Sequence, residues 1–92
     1  MRLPIAREFV VRGRVQGVGF RWFVKKAAFQ LGVNGYVRNE ADGCVFVYAV
    51  GTERQLSQLA GRLHHGPQSA EVRGVDERAA AVRKYETFEI EG

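Results

Sequence analysis

The residues whose types and spacing could do chemistry are Gly13-Arg14-Val15-Gln16-Gly17-Val18-Gly19-Phe20-Arg21. Three glycines within seven residues open backbone shapes closed to other residues. Successive N–H groups in such a turn can converge into a nest for an anion. The stretch leaves an alternating segment and enters a helical one. A helix N-terminus adds unpaired N–H groups and roughly half a positive charge. Arg21 falls in that first turn, where a cation opposes the helix dipole. An anion between the guanidinium and the backbone donors would account for it, with amides on some phosphate oxygens and the fork on another. A tight turn that needs glycines, followed by an exposed arginine, accounts for the same residues equally well. Other glycine motifs fit poorly. No Gly-Lys-Ser/Thr follows, as a nucleotide-binding P-loop would require, and the third glycine of a dinucleotide fingerprint is missing.

Nucleophiles and bases are scarce. Cys44 lies in an apolar run and reads as a packed residue, since a reactive thiol needs an electropositive, accessible setting. His64 and His65 are adjacent at a helix end and point in different directions, as exposed residues do. No His-Glu-x-x-His motif or carboxylate cluster is present, so no metal or other cofactor is expected. A reaction run with an arginine and backbone amides must need little proton transfer from the protein. Acyl phosphates meet that condition, because their leaving group is a carboxylate, whose conjugate acid ordinarily ionises at about pH 4. Attack at phosphorus then needs a positioned water and stabilisation of the phosphoryl oxygens.

The elements that must position these residues read strand, helix, strand, strand, helix, strand, strand. Ile5–Arg14 alternates, with Phe9, Val11, Gly13 and Val15 on one face and Val10, Arg12 and Arg14 on the other. From Phe20 to Leu31, the residues Phe20, Phe23, Val24, Ala27, Ala28 and Leu31 form one helical stripe, and Gly32 supplies a stop. Gly35–Asn39 and Cys44–Val50 read as strands joined by an Asp42-Gly43 turn. Glu53–His64 reads as a second helix, with Leu56, Leu59, Ala60 and Leu63 as its stripe. Thr52 and Gln55 form a candidate capping box there, and Gly66-Pro67 follows as a stop. Val72–Arg78 and Tyr85–Ile90 complete the set, with Ala79–Val82 as a connection. The order predicts an α+β, ferredoxin-like split βαβ sandwich, βαββαβ plus a C-terminal strand, with both helices on one face of an antiparallel sheet.

The chain has 92 residues, 46% hydrophobic and 26% charged, which fits one globular domain, 1–92, and argues against disorder. A single cysteine excludes an intrachain disulfide and a multi-cysteine zinc site. The N-terminus Met1–Glu8 has no apolar segment of a signal peptide, so a cytoplasmic location is expected. The longest apolar run, Cys44–Val50, is too short for a membrane helix of about 20 residues. The formal charge is +4, and eleven of the fourteen basic residues are arginine. These are interleaved with acids, as on an ordinary solvated surface.

Two long stretches carry a family resemblance. Val11-Arg12-Gly13-Arg14-Val15-Gln16-Gly17-Val18-Gly19-Phe20-Arg21 resembles the first signature of the acylphosphatase family. Gly35-Tyr36-Val37-Arg38-Asn39-Glu40-Ala41-Asp42-Gly43-Cys44-Val45, followed by Gly51, resembles the second. Leu31-Gly32 and Gly66-Pro67 also stand where the family has them, and the likeness runs on to Phe88-Glu89-Ile90. The resemblance implies metal-independent hydrolysis of acyl phosphates. It casts Arg21 as the catalytic, phosphate-binding arginine and Asn39 as the residue that orients the attacking water. The backbone N–H groups of Gln16, Gly17, Val18, Gly19 and Phe20 would cradle the phosphate, and the substrate's own phosphate would take the proton. The partner implied is a small acyl phosphate, handled by a monomer. Acetyl phosphate, carbamoyl phosphate and 1,3-bisphosphoglycerate all carry the group such a site would read.

Two rival classes share the fold. RNA-recognition domains carry aromatic residues on the open sheet face, and the alternation of the third strand turns Phe46 and Tyr48 outward. That pair could be a stacking platform, a dimer surface or an apolar patch partly covered by neighbours. The last is expected, because the strand lacks the basic-Gly-aromatic pattern of an RNA reader; nucleic acid is therefore not the expected partner. A regulatory acyl-phosphate-binding module, as found within larger carbamoyl-transfer proteins, is the second rival. A chain ending just after the fifth strand fits a free-standing enzyme better. Trp22 and Phe29 lie off the helix stripe and are expected to pack against the chain ends.

Overall fold

The computed structural model describes residues 3–92, so residues 1 and 2 of the expected domain 1–92 lie outside the described residues. The elements are β1 Ile5–Arg14, α1 Phe20–Leu31, β2 Asn34–Asn39, β3 Val45–Gly51, α2 Glu53–His65, β4 Glu71–Ala80 and β5 Phe88–Glu91. One five-stranded sheet carries them in the order β4-β1-β3-β2-β5. β1 pairs antiparallel with β3 and β4, and β2 pairs antiparallel with β3. β5 pairs parallel with β2. The sheet is therefore mixed, not wholly antiparallel as the sequence led us to expect. No helix among the described residues is long and apolar enough to cross a membrane.

Both helices pack on one face, as their apolar stripes require. Val24 and Ala28 of α1, and Leu56, Leu59 and Leu63 of α2, are fully buried against Phe9, Val11, Val37, Val45 and Val47 of the sheet. Each of the valine, leucine and phenylalanine side chains contributes about 1.5–3 kcal/mol. Gly32 ends α1 in the left-handed region at φ 76°. The Thr52 hydroxyl accepts from Gln55 N at 3.1 Å while Gln55 Oε1 accepts from Thr52 N at 2.8 Å, so the capping box predicted for α2 is formed.

The other face is covered too. Tyr36, Phe46, Tyr48 and Ala6 form a second buried cluster, with Tyr85 packed against it. The Tyr85 ring lies 5.7 Å from that of Tyr36 and 5.5 Å from that of Tyr48. This explains why β5 begins at Phe88 and not at Tyr85: residues 81–87 fold over the sheet before the chain enters it. Phe46 and Tyr48 point away from the helices, as the alternation predicts. With only 8% and 1% of their surface exposed, they present no open platform for stacking bases. β4 runs on through Ala79 and Ala80, read from sequence as a connection, because the ten-residue β1 offers partners as far as Ala6.

Trp22 and Phe29 depart from expectation. They are 68% and 86% exposed, so packing among the described residues covers little of either. Both project from the solvent side of α1, where the sheet and α2 leave nothing to cover them.

The topology sets up one end of the sheet. β1 and β2 both run antiparallel to the strand between them, so they share a direction. β5 shares it as well. The loop leaving β1, the last residue of β2 and the residue following β5 thus arrive at the same end.

Candidate active site

Residues 15–19 join β1 to α1 as an irregular turn. Val15 and Phe20 are buried, and Val18 packs against the same core, so three apolar side chains anchor the turn from beneath. Gly17 and Gly19 stand between those anchors at φ 73° and 76°. No other residue type in the turn has positive φ, so the backbone alternates in hand from Gln16 to Gly19. Such alternation turns successive N–H groups to one side. A Cβ at Gly17 or Gly19 would meet nothing within 4 Å. The glycines answer the backbone's hand and not a steric clash.

Among the described residues, the first backbone hydrogen bond of α1 runs from Phe23 N to Gly19 O at 3.0 Å. Among the described residues, the N–H groups of Gln16, Gly17, Val18, Gly19 and Phe20 find no acceptor, and those of Arg21 and Trp22 find none either. A helix leaves its first four N–H groups free. The glycine turn extends that set backwards and gives it a common direction.

Asn39 is the last residue of β2 and pairs with Val45 at the start of β3. Its Oδ1 is buried without a hydrogen-bond partner. An unsatisfied buried acceptor ordinarily costs about 1–3 kcal/mol, so native structures hold few of them, and those concentrate where function asks for them. Asn39 lines a cavity of about 80 Å³ together with Val15, Gly17, Gly19, Phe20, Arg21 and Trp22. That is room for ordered water or a small polar group. The predicted residues therefore converge: the glycine turn, Arg21 and the amide of Asn39 border one small space. A larger concavity of about 680 Å³, lined by Leu3, Ile5, Thr52, Glu53, Arg54 and Ser57, shares no residue with it.

Two contacts hold the site that the sequence did not reveal. The Gln16 side chain donates from Nε2 to Glu40 O at 2.7 Å and to Cys44 O at 2.9 Å. It fastens the glycine turn to the β2–β3 hairpin and so fixes the turn relative to Asn39. Arg21 donates from Nη1 to Gly92 O at 2.8 Å, which steadies the guanidinium from one side. The remaining N–H groups of the fork are unpaired among the described residues. No acidic residue stands in the first turn of α1 to compete for them.

The other candidate groups stay apart from the cavity. Cys44 is half-buried, and burial, then a hydrogen bond with Asp42, pushes its thiol pKa up. That is the reverse of what a nucleophilic thiolate needs. His64 and His65 are exposed at the end of α2. Among the described residues, no three His, Cys, Asp or Glu side chains come together.

The acylphosphatase family model matches residues 7–90. An acylphosphatase of Solibacter usitatus is 55% identical over 85 residues, covering 92% of this chain and 88% of that relative. One of Archaeoglobus fulgidus is 48% identical over 86 residues, covering 94% and 97% respectively. The crystal structure of an acylphosphatase from Bacillus subtilis superposes with a TM-score of 0.93 at 30% identity, over 96% of this chain and 99% of that one.

Proposed function

The chain belongs to the acylphosphatase family, the hydrolases of acyl phosphates, and from that premise we propose that the cavity between the glycine turn, Arg21 and Asn39 is where the phosphoryl group is held and attacked. The unpaired N–H groups from Gln16 to Phe20 bind two of the phosphoryl oxygens, and the free part of the Arg21 fork binds a third. The donors are fixed by the fold before substrate arrives, so they stabilise charge on the phosphoryl oxygens without reorganising.

Asn39 orients the attacking water. Its Oδ1 is buried without a partner among the described residues, and the residue lines the same cavity; these two facts together carry the reading. An amide has no useful basicity, so it aims the water without deprotonating it. The water oxygen bonds to phosphorus as the bond from phosphorus to the acyl oxygen breaks. The electron pair leaves on the carboxylate, a stable anion at neutral pH. The water's proton passes to a phosphoryl oxygen of the substrate. No step uses a metal or a protein base, which the scarcity of such groups around the cavity favours.

The reading calls on no group from a second chain, so a monomer suffices for it. The test is hydrolysis of benzoyl phosphate in EDTA, with a phosphate monoester as control. Rapid loss of the acyl phosphate alone is expected. EDTA inhibition, or equal turnover of the monoester with its poorer leaving group, would sink the mechanism.

A further inference from the structure

Trp22 is the chain's single tryptophan. It borders the small cavity beside Arg21, yet it is 68% exposed. Tryptophan is on average highly buried, and here the described residues cover only a minor part of it. The cavity, at about 80 Å³, takes a phosphoryl group and little more. An acyl group attached to that phosphoryl must therefore lie outside, against the rim. Of the apolar side chains that line the cavity, Val15 and Phe20 are 1% exposed and offer no surface. Trp22 is the one aromatic residue of that lining whose side chain is exposed. The Lys25 ammonium lies 5.5 Å from its ring centroid, one turn along the helix, and restrains the indole. Phe29 is more exposed still, but at 1.5 Å per residue it stands about 10 Å further along α1, beyond the reach of a small acyl group held by its phosphate.

We propose that Trp22 is a specificity residue that favours acyl phosphates with an aromatic acyl group, by stacking that group on its indole at the mouth of the cavity. The proposal rests on the phosphate-site reading above. An acetyl group reaches the rim with one methyl and gains little. A benzoyl group presents a ring to a ring, an arrangement that contributes beyond its area alone.

The test compares kcat and KM for benzoyl phosphate and acetyl phosphate in wild type, Trp22→Ala, Trp22→Phe and Phe29→Ala. Trp22→Ala is expected to lower kcat/KM for benzoyl phosphate about tenfold, mainly through KM, and for acetyl phosphate less than about threefold. Trp22→Phe retains most of the preference, and Phe29→Ala leaves the ratio of the two substrates unchanged. A ratio that survives Trp22→Ala, or that falls equally with Phe29→Ala, overturns the proposal. Binding is read separately by indole fluorescence, using phenacylphosphonate and acetonylphosphonate as uncleavable analogues and inorganic phosphate as competitor. Tighter, phosphate-displaceable quenching by the phenacyl compound supports the proposal even without turnover, in which case the catalytic reading alone fails. Equal affinity for the two analogues overturns the selectivity and leaves the phosphate site standing. Failure of both analogues and of phosphate to bind would remove the site and the proposal together.

Discussion

Arg21 and Asn39 ask different things of their side chains. Arg21 spends one N–H on Gly92 O and keeps the rest of a planar fork for the cavity. A lysine there would bring the charge but neither the fork nor the tether, since its ammonium is a compact point charge on a flexible stem. Arg21→Ala is expected to cost about 10³-fold or more in kcat/KM, in the range lost when a positioned arginine is removed from phosphoryl transfer. Arg21→Lys should recover little of it. Rescue by lysine to within a few-fold of wild type would show that charge suffices and that the fork is not used. Asn39 contributes no charge, so its loss is felt in water placement. Asn39→Ala also removes a buried, unpartnered oxygen, and the protein should be as stable as wild type or slightly more so. Turnover should nevertheless fall on the order of 10²-fold, as for other preorganised polar groups. Thermal melts and steady-state kinetics on the same preparation separate the two effects. Near-normal turnover would remove Asn39 from the mechanism.

Between the elements, the link that matters is the Gln16 side chain, which joins the β1–α1 turn to the β2–β3 hairpin. Its two acceptors do not depend on it for satisfaction. Glu40 O also accepts from Gly43 N at 3.1 Å, and Cys44 O from Glu40 N at 2.8 Å. Gln16→Ala should therefore destabilise by only about 1 kcal/mol. It frees the turn to drift relative to Asn39, and small misplacements are costly in catalysis. We expect kcat to fall about tenfold with KM changed much less, measured with benzoyl phosphate. A drop in stability without a drop in kcat would mark the contact as purely structural. This contact also shows what a sequence hides. The stripe of α1 and the Thr52–Gln55 box are written in spacings of three and four residues, so they are legible as they stand. The glycine turn is legible for the same reason, because left-handed backbone at positions 17 and 19 calls for glycine locally. Gln16 reaches partners 24 and 28 residues away, and no local pattern marks which glutamine will do so. Exposure at Trp22 was hidden likewise, since an aromatic off the apolar stripe is ordinarily assumed to find cover.

At the scale of the molecule, the sheet works with two covered faces. The helices close one; on the other, Arg83 and Tyr85 lie over Tyr36 and Tyr48, and Arg38 lies over Phe46. Alternation around Tyr85 suggested a strand because its pattern runs on into Phe88; what diverts it is a distant aromatic cluster that only the folded sheet assembles. Tyr48 holds the strap down. Its hydroxyl donates to Ala81 O at 2.6 Å and accepts from Arg83 N at 2.7 Å, while the Arg83 guanidinium lies 4.3 Å from its ring centroid. Tyr48→Phe keeps the ring and its packing and removes both hydrogen bonds. A loss of about 1–2 kcal/mol is expected, which lowers Tm by roughly 4–8 °C per kcal/mol in a domain of this size. Activity should not follow. Along β3, Tyr48 stands three residues from Val45, the partner of Asn39, about 10 Å at strand spacing. It also faces away from the helices, whereas the glycine turn is anchored in the core beneath them. Calorimetry and kcat on one sample decide the matter. A melting point that falls while kcat holds means the strap stabilises the sheet without shaping the site. A fall in kcat at a temperature where the variant is fully folded would mean that the second face reaches Asn39 through β2, and that the two sides of the sheet act as one body in catalysis.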